Sequence, residues 1–153
     1  MDFSLTPEQK ELQSVARAFA QKEMTSVAKE LEEKKEFLPD EWFDRYAEMG
    51  FLGINISKKY GGLGLPNLDA LLVLEEFAKV SSVVAWPIFE SAVGPIKAIE
   101  HFANEDLKQR IIPEVCKGNL FVAVSMSESH AGSALTDLTT KAEEKDDHLV
   151  LNG

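Results

Sequence analysis

One cysteine, Cys116, stands in 153 residues, so no intrachain disulfide can form and an all-cysteine zinc site is excluded. Basic residues are also scarce. Sixteen Lys and Arg face 26 Asp and Glu, a formal net charge of -10. A surface of that sign repels phosphate backbones and anionic lipid headgroups, so neither nucleic acid nor a membrane is an expected partner. An acidic small ligand stays possible, because local donors or a helix N-terminus override net charge. No apolar run approaches the ~20 residues of a spanning helix. The opening Met1-Asp2-Phe3-Ser4-Leu5 has neither a basic segment nor an apolar one, so no signal or transit peptide is expected. With the lone thiol, this points to the cytoplasm. The dinucleotide pattern GxGxxG is missing, and Gly61-Gly62-Leu63-Gly64 lacks the Lys-Ser or Lys-Thr of a phosphate loop, so that stretch reads as a structural turn. His101, His130 and His148 share no metal-binding spacing.

What the chain does have is helix signals. Thr6, Pro7 and Gln9 form a capping box with proline at the first helical position. Leu12, Val15, Ala16 and Phe19 then fall on one face, and helical character continues through Val27 and Leu31 into the charged run 30–36. A second helix starts at Pro39-Asp40 with Asp40 as cap, turns Trp42, Phe43, Tyr46 and Met49 to the core, and stops at Gly50. A third opens at Asn67 or Asp69 and is broken by Ser81-Ser82. On it, adjacent Glu75 and Glu76 point about 100° apart, which predicts solvated or capping carboxylates rather than a catalytic pair. Pro87 and Pro95 should interrupt the helical pattern of 83–102. Asn104 caps a further helix that Pro113 bends or shortens and Gly118 ends.

After Gly118 the period changes. Residues 121–124 predict a strand, 125–134 a loop, and 138–143 and 148–151 two strands about a turn at Lys145-Asp146-Asp147. Asn152-Gly153 is a turn signal that leads toward another strand. The expected fold is therefore mostly α: a helical amino-terminal domain over 1–118 and, over 119–153, the first strands of an incomplete β domain. Directly after the first strand, Val124-Ser125-Met126-Ser127 and the small residues up to Ser133 offer hydroxyls and an approachable backbone, the equipment for binding a flat heterocycle.

The ordered landmarks carry more than any one motif. Phe3-Ser4-Leu5-Thr6-Pro7-Glu8-Gln9, Gly50-Phe51-Leu52-Gly53, Lys59-Tyr60-Gly61-Gly62-Leu63-Gly64, Leu74-Glu75-Glu76-Phe77-Ala78, the segment from Asn104 to Gly118, and Val150-Leu151-Asn152-Gly153 occur in the order of the acyl-CoA dehydrogenase family. Ser127-Glu128-Ser129-His130-Ala131-Gly132-Ser133 takes the place of that family's Thr-Glu-Pro-x-Ala-Gly-Ser-Asp segment. The chain resembles the family over essentially its whole length. The resemblance implies a helical bundle followed by a β domain, FAD as cofactor, an acyl-CoA substrate, and assembly as a homo-oligomer or with a partner subunit. It implies that Val124, Ser125, Met126, Ser127 and Ser133 contact the flavin, Ser127 at the pyrimidine edge, and that Ser133 also meets the CoA moiety. Four features depart: Ser127 replaces threonine and keeps the hydroxyl, Ser129 replaces proline, Ala134 replaces the final aspartate, and no aromatic stands near Val124. The family's catalytic glutamate belongs to a carboxy-terminal region, so no residue of this chain is expected to act as the base and the chain alone should be inactive. A non-catalytic subunit of the same fold and a flavin monooxygenase of the same superfamily are the competing readings.

Overall fold

The computed structural model describes residues 4–153, so Phe3 of the opening motif lies outside it. It divides into two units, one ending at Ala123 and one running from Val124 to Gly153.

In the first unit the chain is helical: α1 (Pro7–Phe19), a π-helical turn (Ala20–Met24), α2 (Thr25–Lys34), α3 (Asp40–Glu48), α4 (Asn67–Ala78), α5 (Ser82–Ile88), a second π-helical turn (Phe89–Val93), α6 (Ile96–Phe102) and α7 (Glu105–Cys116). The capping box forms as the sequence predicts. Thr6 Oγ1 accepts from the Gln9 N–H at 3.2 Å, and Gln9 Oε1 accepts from the Thr6 N–H at 3.1 Å. Asn104 caps α7 through Leu107 N–H at 2.9 Å, and Ser81 caps α5 through Val83 N–H at 3.2 Å.

α4 packs against α1 on one side and α5 on the other. Between them lies an aromatic cluster of Phe19, Tyr46, Phe51 and Phe77, each ring within 5.1–6.4 Å of the others and mostly edge-on. Edge-to-face contacts bring the positive ring rim onto a negative face. Tyr46 is fully buried and donates its hydroxyl to the Val84 carbonyl at 3.0 Å, and burial pushes its pKa up. A second cluster joins Ile56, Tyr60, Ile96, Ile112, Val115 and Cys116. Gly62 sits under it for a steric reason. A Cβ there would stand 2.3 Å from the Ile56 carbonyl oxygen and 2.6 Å from that of Gly53, so the glycine stretch is structural, as the missing phosphate-loop lysine predicts.

Several expectations are corrected. Val15 is exposed, because the stripe of α1 that reaches the core runs through Leu12, Ala16, Phe19 and Ala20, and Val15 flanks it. Met49 is exposed where the helix has already ended, one residue before Gly50 at φ +72°. Asp40 is the first residue of α3 rather than its cap; extended Pro39 holds the cap position, and Asp40 instead faces the positive end of the helix dipole. Pro87 lies inside α5, which ends one residue later and passes into a π-helical turn, and Pro113 lies inside α7, which runs on to Cys116. Glu75 is solvated as expected, but Glu76 is 2% exposed and ion-paired.

In the second unit, β1 (Lys141–Lys145) and β2 (His148–Asn152) form an antiparallel hairpin, register Glu143↔Val150, that turns at Asp146 with φ +50°. The strand expected over 121–124 is not formed, since no described strand offers its backbone a partner. β1 begins at Lys141 rather than residue 138, because the N–H groups of Thr139 and Thr140 are taken by a carboxylate instead of a ladder.

Candidate functional site

From Val124 to Ser127 the backbone is without secondary structure, and among the described residues no hydrogen bond engages the N–H groups of Ser125, Met126 or Ser127. The chain then folds back on itself. Glu128 N–H donates to the Ala131 carbonyl at 2.9 Å and Ala131 N–H donates to the Glu128 carbonyl at 3.2 Å, closing a tight loop with Ser129 and His130 at its tip.

What fixes this loop is the Glu128 side chain. One oxygen accepts from the Thr139 N–H and hydroxyl, both at 2.9 Å; the other accepts from the Thr140 N–H at 2.8 Å and from the Thr140 hydroxyl. Four donors stabilise the charged form, the Thr140 hydroxyl most, and draw its pKa down to about 2. His130 Nε2 lies 3.4 Å from the same carboxylate. The Glu128 carboxylate thus stays ionised, with its hydrogen bonds taken up on the hairpin side and none made to Ser125, Met126 or Ser127.

Ser125, Met126 and Ser127 line a shallow cavity of about 610 Å³, with Leu138, Thr139 and Leu151 on its far side. Of the five residues expected at the flavin, these three share one cavity. Val124 and Ser133 do not line it, and both are exposed. The hydroxyls of Ser125 and Ser127 and the free N–H groups beside them set donors and acceptors along one stretch of backbone. Met126, half exposed, adds a polarizable thioether to the same cavity.

Sequence reasoning passed over the clip itself. Glu128 was visible only as one letter of a motif, and Thr139-Thr140 only as part of a strand. An acid eleven and twelve residues before a Thr pair has no periodic signature, since the contact arises from the loop closing. Replacing Glu128 with Ala is expected to raise amide exchange at Thr139 and Thr140 by about tenfold or more while α1–α7 stay protected, read by hydrogen-exchange mass spectrometry. Unchanged exchange at both threonines would show that the clip does not hold the loop.

Among the described residues there is no group of three or more His, Cys, Asp or Glu placed to hold a metal ion, and no helix is long and apolar enough to cross a membrane.

Comparison with known proteins points one way. The family described as acyl-CoA dehydrogenase, N-terminal domain, matches residues 6–119. Mitochondrial isovaleryl-CoA dehydrogenase of Bos taurus is 35% identical over 150 residues, covering 97% of this chain and 35% of that protein. A 3-sulfinopropanoyl-CoA desulfinase of Cupriavidus necator is 36% identical over 151 residues, covering 99% of this chain and 38% of that one. The structure of a glutaryl-coenzyme A dehydrogenase in complex with glutaryl-CoA superposes with a TM-score of 0.91 at 31% identity, covering all of this chain and 39% of that one. The chain therefore spans little more than a third of the length of the relatives it matches.

Proposed function

The chain belongs to the acyl-CoA dehydrogenase family, and from that premise we propose that it forms the amino-terminal part of an FAD-dependent enzyme that desaturates an acyl-CoA thioester between its α and β carbons. The observation that supports this reading is the set of free donors at Ser125–Ser127, held open by a loop whose one carboxylate is already satisfied. In it, Ser127 hydrogen-bonds the pyrimidine edge of the flavin, Ser125 and Met126 lie along the ring, Val124 adds its backbone, and Ser133 contacts both cofactor and CoA. Bound FAD supplies the hydride acceptor. Removal of the α-proton falls to a base outside these 153 residues, because among the described residues no carboxylate lines the serine cavity except the clipped Glu128.

Two further features bear on assembly and compartment. The second unit is a two-stranded hairpin with Leu149 and Leu151 exposed, a structure of marginal stability by itself. More β structure, from the same polypeptide or from a partner subunit, is the natural cover for it. Cys116 is a lone, unpaired cysteine, in keeping with a reducing compartment such as the cytoplasm, and burial pushes its thiol up to about 11, so it is core packing and not a nucleophile.

The relatives include a desulfinase as well as dehydrogenases, so the reaction must be tested directly. The native gene product, loaded with FAD and titrated anaerobically with acyl-CoAs of several lengths, is expected to lose its flavin absorbance. Residues 1–153 alone are expected to leave it unchanged. Bleaching by 1–153 alone would refute the placement of the base, and no bleaching of the native product by any acyl-CoA would refute the dehydrogenase reading in favour of a non-catalytic subunit.

A further inference from the structure

The methionines of the described residues differ in what surrounds the sulfur. Met24 is fully buried, with the Tyr46 hydroxyl 2.7 Å from its Sδ. Met49 is exposed at the end of α3. Met126 is half exposed and lines the shallow cavity of about 610 Å³ in the second unit. A thioether that solvent reaches is open to oxidation, and a buried one is shielded.

The cavity adds two features to access. The N–H groups of Ser125, Met126 and Ser127 engage no acceptor among the described residues, and the Ser125 and Ser127 hydroxyls beside them are also without a partner. A thioether is a weak acceptor and leaves such donors unmet. A sulfoxide is polar, and its oxygen accepts hydrogen bonds on the same side chain. The second feature is charge. Glu128 lines the cavity and stays ionised, because the donors of Thr139 and Thr140 hold its carboxyl far below the usual range. A fixed negative charge favours the positive charge that develops on sulfur as oxygen is transferred.

We propose that Met126 is an oxidation site whose modification closes this cavity. The oxidant is hydrogen peroxide. The sulfur lone pair attacks one peroxide oxygen, the O–O bond breaks, and the proton on the transferred oxygen passes to the departing one, which leaves as water. Sulfur is oxidised, peroxide is reduced, and no other reactant is needed. The new S–O group accepts from the free donors of residues 125–127 and so takes the groups a cofactor would use. That last consequence rests on the flavin reading, whereas the oxidation and the capture of the donors do not. Methionine sulfoxide is returned to the thioether by reductases, so the closure is reversible.

The native gene product, prepared without bound FAD, is treated with hydrogen peroxide, and oxygen uptake is mapped by peptide mass spectrometry. Met126 is expected to react about threefold or more faster than Met49, which is almost as exposed. Exchange of the Ser125, Met126 and Ser127 amides, read in 15N–1H spectra, is expected to slow about threefold or more once Met126 carries the oxygen. FAD affinity is expected to fall about tenfold on oxidation, and Met126→Leu is expected to keep its own starting affinity through the same treatment. Oxidation of Met126 no faster than Met49, or amides at 125–127 that exchange as before, would overturn the proposal. So would an oxidised protein that binds FAD as tightly as the untreated one. An untreated protein that binds no FAD would overturn the flavin reading instead, and the reaction rates and amide exchange then decide the fate of Met126.

Discussion

Phe77→Ala will be among the most damaging single changes in the helical unit, with a loss of roughly 3–5 kcal/mol in unfolding free energy. Phe77 is fully buried on α4 and touches the other three rings of the cluster, at 5.8 Å to Phe19, 5.1 Å to Tyr46 and 5.2 Å to Phe51. Truncation removes its burial, the ring–ring contacts and the support of three neighbours at once. Those neighbours come from α1, α3 and the segment after α3, so the void cannot close without moving a helix. Tyr46 limits any collapse, because its hydroxyl is tied to the Val84 carbonyl of α5. Urea denaturation followed by circular dichroism measures the loss. Phe77→Leu, which keeps most of the volume, should fall well short of it. A loss below about 1 kcal/mol for the alanine variant would mean that the cluster repacks freely, contrary to the geometry.

The helical half was largely legible in the sequence, for reasons that can be named. Capping residues act on backbone groups two or three positions away, so Thr6 and Asn104 announce their helices locally, whereas Ser81, read only as a helix breaker, also caps the helix that follows. Gly50 and Gly118 end theirs because both take positive φ. What local pattern could not show is the depth of burial. Val15 and Phe19 read alike as parts of a stripe, yet only Phe19 meets the ring cluster. The π-helical turns, likewise, follow from packing and leave no simple mark.

The β half was legible as composition but not as pairing. A run such as Phe121–Val124 has strand-forming residues, but a strand exists only when another backbone accepts its hydrogen bonds, and none of the described strands does. The same logic moved the start of β1. Glu128 takes the Thr139 and Thr140 donors, so the ladder starts at Lys141. The candidate site follows this pattern. Ser125, Met126 and Ser127 could be named from the motif, whereas the carboxylate that shapes their loop could not, since its partners lie eleven and twelve residues away.

Glu76 shows most sharply what adjacency conceals, and its replacement carries the second large effect. Beside solvated Glu75, its side chain is 1% exposed and accepts a bidentate pair from Arg17, Nε at 2.9 Å and Nη2 at 3.1 Å, with Lys79 Nζ 2.8 Å from one oxygen. The pair ties α4 to α1. The Arg17 hydrogen bonds dominate, outweighing desolvation, and hold the Glu76 pKa down at about 2, against 4.5 when free. A carboxylate depressed in the folded state contributes stability that is complete above its unfolded pKa and is lost as pH falls through its folded value. The contribution should therefore be about 3 kcal/mol at neutral pH, decline below pH 4.5, and vanish near pH 2. Glu76→Gln is expected to lose about that much at pH 7, because it leaves Arg17 and Lys79 facing an amide, and the gap between variant and parent should narrow to less than half by about pH 3. Urea titrations across that range decide the matter. A gap that stays constant with pH would mean that the stability lost is packing and not charge, and would remove the ion pair as the link between α1 and α4.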